Sequence, residues 1–342
     1  MDMKTLHQQA RERMNGACKV CRVCNGAACA GELPGMGGIR SGKSFMANRE
    51  ALDRLYLKMR VIHDVRQPVT ACQLLGLDLA MPVMIAPLAG AAFNMGNGME
   101  EKKFAQVIVG GAKQSGIIAC TGDGTREVFE CGLDAIKAND GWGIPVIKPW
   151  VEGMFFERLA AASGCGASVI GMDIDACAIT ALAKSKRPVS PKNRQELKII
   201  VNKAHECGLK FMLKGILSID DALAAQDCGC DAIVVSNHGG RALEALPGTA
   251  QALELIAKKV SEMTILVDGG IRCGADILKM LALGANGVLL GRPAIIAAMG
   301  GEEEGIELFF SRLQRQLVES MILTGCPNVA DADKSLLFEA GF

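Results

Sequence analysis

The stretch MTILVDGGIRCGADILKMLALGANGVLLGRP (residues 263–293) contains a complete strand–helix–strand unit. Residues 263–270 form an apolar run that ends in Asp-Gly-Gly, residues 274–285 have the apolar spacing of a helix, and residues 286–293 form a second apolar run. Both runs are apolar at successive positions, which is typical of parallel strands buried on both faces. The unit therefore predicts a parallel sheet covered by helices.

The same alternation extends over the chain from residue 81. Eight such units in about 210 residues are what a closed (β/α)₈ barrel requires. An open doubly wound sheet fits less well, because no early strand is followed by Gly-x-Gly-x-x-Gly. We predict an α/β fold, a (β/α)₈ TIM barrel over residues 49–342, preceded by a short Cys-rich arm over residues 1–48. The predicted strands are 81–87, 116–123, 144–150, 167–175, 209–215, 231–237, 263–270 and 286–293.

Composition limits the classes of function. The chain has 37 Lys and Arg against 37 Asp and Glu, so its net charge gives no support for a nucleic-acid partner. Residues 1–19 lack the apolar core of a signal peptide, and no stretch reaches the ~20 apolar residues of a membrane-spanning helix. We expect a cytoplasmic protein without a nucleic-acid or membrane partner, in which most cysteines are reduced and buried.

Polar side chains follow most of the predicted strands, and the carboxyl ends of the strands form the catalytic face of such a barrel. His238 suits a general base because the ordinary pKa of histidine is about 6.5. Arg241 can bind a carboxylate through two parallel hydrogen bonds. Asp173 can orient the imidazole and stabilise its charge, a role for which Asp175 competes, and the sequence leaves that choice open. Lys214 supplies a fixed positive charge for a conjugated cofactor that gains electrons.

The turns after the last two strands combine glycine with arginine. They read Asp-Gly-Gly-Ile-Arg (268–272) and Gly-Arg-Pro (291–293), and a helix candidate follows the first. Glycine lets the backbone approach an anion, and the N–H groups at a helix start favour phosphate. The two turns predict a phosphorylated cofactor or substrate.

Four motifs together resemble the FMN-dependent α-hydroxy acid dehydrogenases and oxidases. They are Lys-Gly-Ile (214–216), Ser-Asn-His-Gly-Gly-Arg (236–241), Asp-Gly-Gly-Ile-Arg (268–272) and Gly-Arg-Pro (291–293), and Pro-Val-Met-Ile-Ala-Pro (82–87) is similar to the first barrel strand of the family. The resemblance implies FMN across the barrel mouth and the oxidation of a 2-hydroxy acid, or a related carboxylate, to the 2-oxo acid. It also implies a homo-oligomer.

The resemblance implies a role for each matched residue. His238 takes a proton from the substrate as a hydride or its equivalent passes to flavin N5, Arg241 binds the carboxylate, and Asp173 supports His238. Lys214 stabilises the reduced flavin. The residues implied to hold FMN are Ala86, Pro87, Lys214, Asp268, Gly269, Gly270, Arg272, Gly291 and Arg292.

Some positions depart from the family pattern. The third strand ends in Lys148-Pro149-Trp150 where the family has Gln-x-Tyr. The Arg-Arg pair expected after the fourth strand is absent, and Lys184, Lys186 or Arg187 are the cations that could replace it. These departures keep two alternatives open: a redox-neutral FMN enzyme similar to type 2 isopentenyl diphosphate isomerase, and a flavin and iron–sulfur electron-transfer protein.

The arm contains CKVCRVCNGAAC (18–29), which places Cys18, Cys21, Cys24 and Cys29 at spacing C-x₂-C-x₂-C-x₄-C. Clustered thiols can bind a soft metal centre, and the first three match ferredoxin-type iron–sulfur spacing, whereas the fourth does not. Zinc and metal-free thiols are the alternatives. A cluster here would pass electrons from the flavin to an external redox carrier. The glycine-rich residues 31–42 are either a linker or a loop over the barrel mouth.

Overall fold

The computed structural model describes residues 1–178 and 188–338. Eight parallel strands form a closed barrel in chain order, and the last strand pairs with the first. A short antiparallel hairpin, β1 (Cys72–Leu74) and β2 (Leu77–Leu79), precedes the barrel. The (β/α)₈ prediction is confirmed, and each of the eight predicted runs overlaps one barrel strand. The barrel strands are β3 (Val83–Leu88), β4 (Ile118–Thr121), β5 (Ile144–Ile147), β6 (Val169–Asp173), β7 (Lys210–Ile216), β8 (Ala232–Val235), β9 (Thr264–Asp268) and β10 (Gly287–Leu290).

The helices that follow the strands begin at local capping signals. Thr125, Asn193 and Ser218 accept hydrogen bonds from backbone N–H groups in the first turns of three helices, and Asn193 forms a reciprocal capping box with Glu196. The helices are α1 (Met3–Arg13), α2 (Lys43–Asp53), α3 (Ala91–Asn94), α4 (Glu101–Gln114), α5 (Arg126–Ala138), α6 (Glu152–Ser163), α7 (Arg194–Glu206), α8 (Ile219–Asp227), α9 (Thr249–Ala257), α10 (Gly274–Ala282) and α11 (Arg292–Thr324), the last with a kink at Gly301 and Glu302.

The core has two layers, because each strand sends alternate side chains to opposite faces. Met84, Val146, Met212 and Leu266 fill the barrel interior. A larger layer lies between the strands and the surrounding helices and includes Phe211. Burial on both faces explains why the strands are apolar at successive positions.

The N-terminal residues pack on the barrel instead of extending from it. Leu6 and Ala10 of α1 are buried, as is Met14 directly after it, and the helix lies against α11. The predicted boundary between residues 48 and 49 falls inside α2, which contacts the loop after β8: Asn48 and Asn237 donate to each other through their side-chain amides at 2.8 and 2.9 Å. In the described part of the chain, no helix is long and apolar enough to cross a membrane.

Candidate active site at the barrel mouth

A cavity of about 490 Å³ opens at the carboxyl ends of the strands. Its size lies within the range of roughly 300–1,000 Å³ that is usual for ligand sites. Every residue that the sequence nominated for cofactor or substrate binding in the barrel lines this one cavity. These residues are Ala86, Pro87, Asp173, Lys214, His238, Arg241, Asp268, Gly269, Gly270, Arg272, Gly291 and Arg292.

Lys214 lies at the bottom of the cavity between two carboxylates. It pairs with Asp173 across the β6–β7 ladder, and its Nζ donates to Asp173 Oδ1 at 2.9 Å and lies 3.7 Å from Asp268 Oδ2. All three side chains are buried. Burial opposes the charged forms, but the attraction of the pair is stronger, so the pKa of Asp173 is held below and that of Lys214 above its ordinary value. The site therefore holds a permanently positive ammonium group.

His238 lies above this pair on the loop after β8, with a backbone φ of +57°. Its Nδ1 donates to Asp175 Oδ1 at 3.0 Å, whereas Asp173 Oδ1 lies 3.9 Å away. The expectation that Asp173 orients the imidazole is therefore corrected: Asp173 is engaged by Lys214, and the 3₁₀ turn after β6 brings Asp175 to His238. The bond at Nδ1 leaves Nε2 as the nitrogen that can accept a proton.

Gly215 makes room for Asp175. Its φ is +105°, and a Cβ at this position would lie 2.5 Å from Asp175 Cγ. A larger residue would therefore displace the carboxylate that orients His238. This gives a structural reason for the glycine in Lys-Gly-Ile.

Arg241 and Arg292 contact the arm. Arg241 Nη1 donates to Gly35 O at 2.5 Å and its Nη2 donates to Asn94 Oδ1 at 3.0 Å. Arg292 Nε donates to Met36 O at 2.7 Å, and its guanidinium lies over the ring of Phe45. Residues 31–42 thus lie over the barrel mouth, which resolves the choice left open by the sequence.

Both guanidinium groups are partly buried, and no carboxylate of the described residues forms an ion pair with either of them. Burial lowers the pKa of Arg241 to about 10, and burial together with the neighbouring charge of Arg241 lowers that of Arg292 to about 9. Carbonyl oxygens accept hydrogen bonds from the two guanidinium groups but do not neutralise their positive charges. Two adjacent buried cations favour an anion at this end of the cavity.

Two buried polar atoms indicate where a phosphorylated, hydroxylated ligand fits. Within residues 1–178 and 188–338, Arg272 Nε and Asp268 Oδ1 have no hydrogen-bond partner. A Cβ on Gly291 would meet nothing nearer than Ala86 Cβ at 3.8 Å, so a side chain there would fill free space in the cavity. An unpaired guanidinium N–H suits a phosphate and an unpaired carboxylate oxygen suits a hydroxyl group, which are the groups of FMN.

The altered end of the third strand has a structural role. Asp123 Oδ2 accepts a hydrogen bond from the backbone N–H of Lys148 at 3.1 Å and another from Trp150 Nε1, and Arg158 lies 3.6 Å from Asp123 Oδ1. Trp150 is fully buried and Lys148 Nζ lies 3.8 Å from Asp173 Oδ2. Where the family has a tyrosine, this chain thus has a buried indole that fixes a carboxylate at the cavity wall.

Sequence reasoning missed Asn94 and Met36, which contact Arg241 and Arg292 at the mouth. Met36 lies in the glycine-rich 31–42 segment, which the sequence could place over the mouth without indicating which residue makes the contact, and Asn94 lies in no recognisable motif. Lys184, Lys186 and Arg187 lie outside the described residues.

The fold and the site define a barrel enzyme with a cationic mouth, a buried lysine and a His–Asp pair. The chain matches the sequence profile of the FMN-dependent dehydrogenases over residues 36–205 and 192–339. It belongs to this family of flavin-dependent oxidoreductases.

Similar proteins include several oxidases and dehydrogenases. The chain is 29% identical over 342 residues to a 4-hydroxymandelate oxidase of Amycolatopsis orientalis, covering 86% of this chain and 90% of that protein. An L-lactate dehydrogenase of Caulobacter sp. (strain K31) is 46% identical over 130 residues, 37% of this chain and 34% of that protein. A solved mandelate oxidase with benzoyl-formic acid has a TM-score of 0.77 and 27% identity, covering 98% and 97% of the two chains.

The comparisons confirm the resemblance stated from the motifs, and they give no support for the redox-neutral alternative. The family match begins at residue 36. Cys18, Cys21, Cys24 and Cys29 therefore precede the matched region.

Proposed function

We propose that this protein oxidises a 2-hydroxy acid to the 2-oxo acid with FMN bound at the barrel mouth. The proposal depends on three groups of side chains that meet at one cavity. They are the His238–Asp175 pair, the buried ammonium group of Lys214, and the cationic end formed by Arg272 and Arg292. Family membership supports the cofactor, and the hydroxy acid oxidases named above support the class of substrate.

The cofactor residues divide between the two ends of the cavity. Gly269, Gly270, Arg272, Gly291 and Arg292 would hold the phosphate, with Asp268 on the ribityl chain and Ala86 and Pro87 behind the ring. Bound FMN supplies the two-electron acceptor. Lys214 would place its charge where negative charge develops as the flavin is reduced.

His238 would act as the base. With Nδ1 donating to Asp175, Nε2 can take the hydroxyl proton of the substrate, and the carboxylate stabilises the imidazolium that results. Asp173 would act mainly by holding the ammonium group of Lys214 in place. Lys148 Nζ lies 3.8 Å from Asp173 Oδ2 and adds a second positive charge beside this carboxylate.

Arg241 would bind the carboxylate of the substrate. Its guanidinium lines the cavity and keeps the planar donor arrangement that matches a carboxylate. The bonds to Gly35 and Asn94 hold it at the mouth, where an incoming carboxylate competes with neutral carbonyl acceptors for a charged donor.

Anaerobic mixing of the FMN-loaded protein with a panel of 2-hydroxy acids tests the function. We expect at least one acid to bleach the flavin and to yield the 2-oxo acid, and the matched acids without the hydroxyl group to leave the flavin oxidised. A flavin that dithionite reduces but no 2-hydroxy acid reduces would favour an electron-transfer protein instead.

Location and assembly remain part of the proposal. We infer a cytoplasmic, homo-oligomeric protein from the composition and from the resemblance to the family. Sedimentation of the FMN-loaded protein over a range of concentrations measures the assembly state.

A further inference from the structure

We propose that Cys18, Cys21, Cys24 and Cys29 bind an iron–sulfur cluster at the phosphate end of the flavin site, and that this cluster carries electrons out of the enzyme. The electron source rests on the proposed function, whereas binding of the cluster does not. Four features of the arm support this cluster: its fold, the cation beside one thiol, the arrangement of the sulfur atoms, and the position of the cysteine loop beside the cavity.

The four cysteines lie on one loop between α1 and α2, and contacts at both ends fix this loop. Arg11 donates to Lys19 O and Val20 O at 3.3 and 3.1 Å, and Met36 N donates to Ala17 O at 3.2 Å. All four thiols are free and partly buried. Val20 N donates to Cys18 Sγ at 3.4 Å, a contact of the kind that stabilises cluster thiolates. The loop thus holds four unpaired thiols in a fixed backbone.

A cation lies next to one of the thiols. Arg272 Nη2 lies 3.4 Å from Cys24 Sγ and donates to Cys24 O at 3.1 Å. This cation would compensate part of the negative charge of the thiolates when a cluster binds.

The arrangement of the four sulfur atoms does not suit a single metal ion. Zinc–sulfur bonds of roughly 2.3 Å in a tetrahedron place the sulfur atoms about 3.8 Å apart. Among the described residues, the only three His, Cys, Asp or Glu ligands that lie within 4.8 Å of one another are Asp173, Asp175 and His238. That group belongs to the active site, where Lys214 already neutralises Asp173. The arm thiols are therefore farther apart than a single-ion site requires.

The loop lies next to the cavity. One side chain, that of Arg272, contacts Cys24 and also lines the cavity, and Met36 lies on the cavity wall. The family match begins at residue 36, so the cysteines lie outside the segment that the family profile recognises. A redox centre at this position would provide the flavin with a second electron outlet.

The proposed electron transfer accounts for every electron and proton released by the substrate. Oxidation of one 2-hydroxy acid releases two electrons and two protons, and both electrons reach the flavin. They leave one at a time through the cluster, which is reduced and reoxidised twice, and they pass to two molecules of a one-electron carrier protein. The two protons reach the solvent.

The test uses the full-length, FMN-loaded protein purified without oxygen. We expect iron and acid-labile sulfide in equal amounts, a paramagnetic signal of the reduced cluster with dithionite, and the same signal, after flavin bleaching, with a 2-hydroxy acid. Cys21→Ser and Cys24→Ser should each lose most of the iron and retain FMN and flavin bleaching. The matched control is Cys207→Ser, which changes an exposed cysteine outside the arm and should retain the iron.

Each other outcome overturns part of the proposal. No iron or sulfide after reconstitution with ferrous iron and sulfide, or stoichiometric zinc in their place, excludes the cluster even if the flavin bleaches. Iron that Cys24→Ser retains places the cluster elsewhere. A cluster that stays oxidised while a 2-hydroxy acid bleaches the flavin excludes the electron outlet. A cluster without substrate bleaching leaves the site in place and contradicts the proposed function instead. Retained FMN absorbance in the variants shows that they are folded.

Discussion

The floor of the cavity and its rim differ in whether their buried charges are compensated by opposite charges. On the floor, Lys214 lies between Asp173 and Asp268, so opposite charges on neighbouring strands compensate each other. At the rim, Arg241 and Arg292 donate to neutral carbonyls of the arm, and within the described part of the chain no carboxylate pairs with them. The charges of the floor are therefore compensated, although Asp268 Oδ1 still lacks a hydrogen-bond donor among the described residues, whereas the rim still favours an anion.

Replacing His238 tests the reactive group between floor and rim and should have the largest effect. His238→Asn suits the left-handed backbone at this position and removes the base. We expect flavin reduction by a 2-hydroxy acid to slow by roughly 10²–10⁴-fold with FMN retained. Stopped-flow absorbance of the flavin measures the rate. His205→Asn, on an exposed histidine, is the control, and an unchanged rate in His238→Asn would show that another group takes the proton.

Replacing Lys214 tests the claim that the floor is self-compensated. Lys214→Met leaves two buried carboxylates without their cation, so we expect a loss of about 3–5 kcal/mol in the free energy of unfolding. Urea unfolding of the flavin-free protein measures it. Lys210→Met, at the exposed start of the same strand, should change it little. Equal losses in both variants would contradict the electrostatic account.

The floor also predicts how stability depends on pH. Because Lys214 holds the pKa of Asp173 below its ordinary value of 3.8, the stabilisation by this carboxylate is complete well above pH 3.8 and is lost as the pH falls towards the lowered pKa. The stability difference between the parent protein and Asp173→Asn should therefore shrink on acidification from pH 6 to pH 3. Urea midpoints at each pH measure it, with the exposed Asp134→Asn as control. If the stability difference between the two proteins instead grows as the pH falls, the pKa of Asp173 is not lowered in the folded protein and the prediction is wrong.

At the rim, Arg241→Lys should have the smallest effect. Lysine keeps the charge but loses the two parallel donors, so we expect KM for the 2-hydroxy acid to rise roughly tenfold, about 1.4 kcal/mol, with kcat less affected. Steady-state kinetics with an artificial electron acceptor separate the two constants. If kcat falls and KM is unchanged, Arg241 acts on the transition state and does not anchor the substrate.

The same contrast explains what could be predicted from sequence. The floor follows from local patterns: apolar runs locate the strands, and the residues at their carboxyl ends necessarily meet at one face. For this reason Lys214, Asp268 and His238 could be predicted as site residues from the sequence alone. The choice between Asp173 and Asp175 could not be made, because it depends on whether the chain continues as strand or turns after Asp173.

The rim was less predictable because its contacts join distant parts of the chain. The 31–42 loop reaches the mouth only because α1 packs on α11 and α2 packs on the loop after β8, and no local signal in the loop specifies either contact. Asn94 and Met36 were missed for that reason. The boundary predicted at residue 48 falls inside α2, which runs through that position.

Single-turnover oxidation of an α-deuterated 2-hydroxy acid tests the central claim most directly. Without oxygen, the FMN-loaded protein is mixed with the acid that bleaches it fastest, in the protium and deuterium forms. We predict slower bleaching with deuterium and one molecule of 2-oxo acid for each flavin reduced, because the bond between deuterium and the α-carbon breaks as the flavin is reduced. Equal rates for the two forms, with no 2-oxo acid formed, would contradict hydroxy acid oxidation at this barrel mouth.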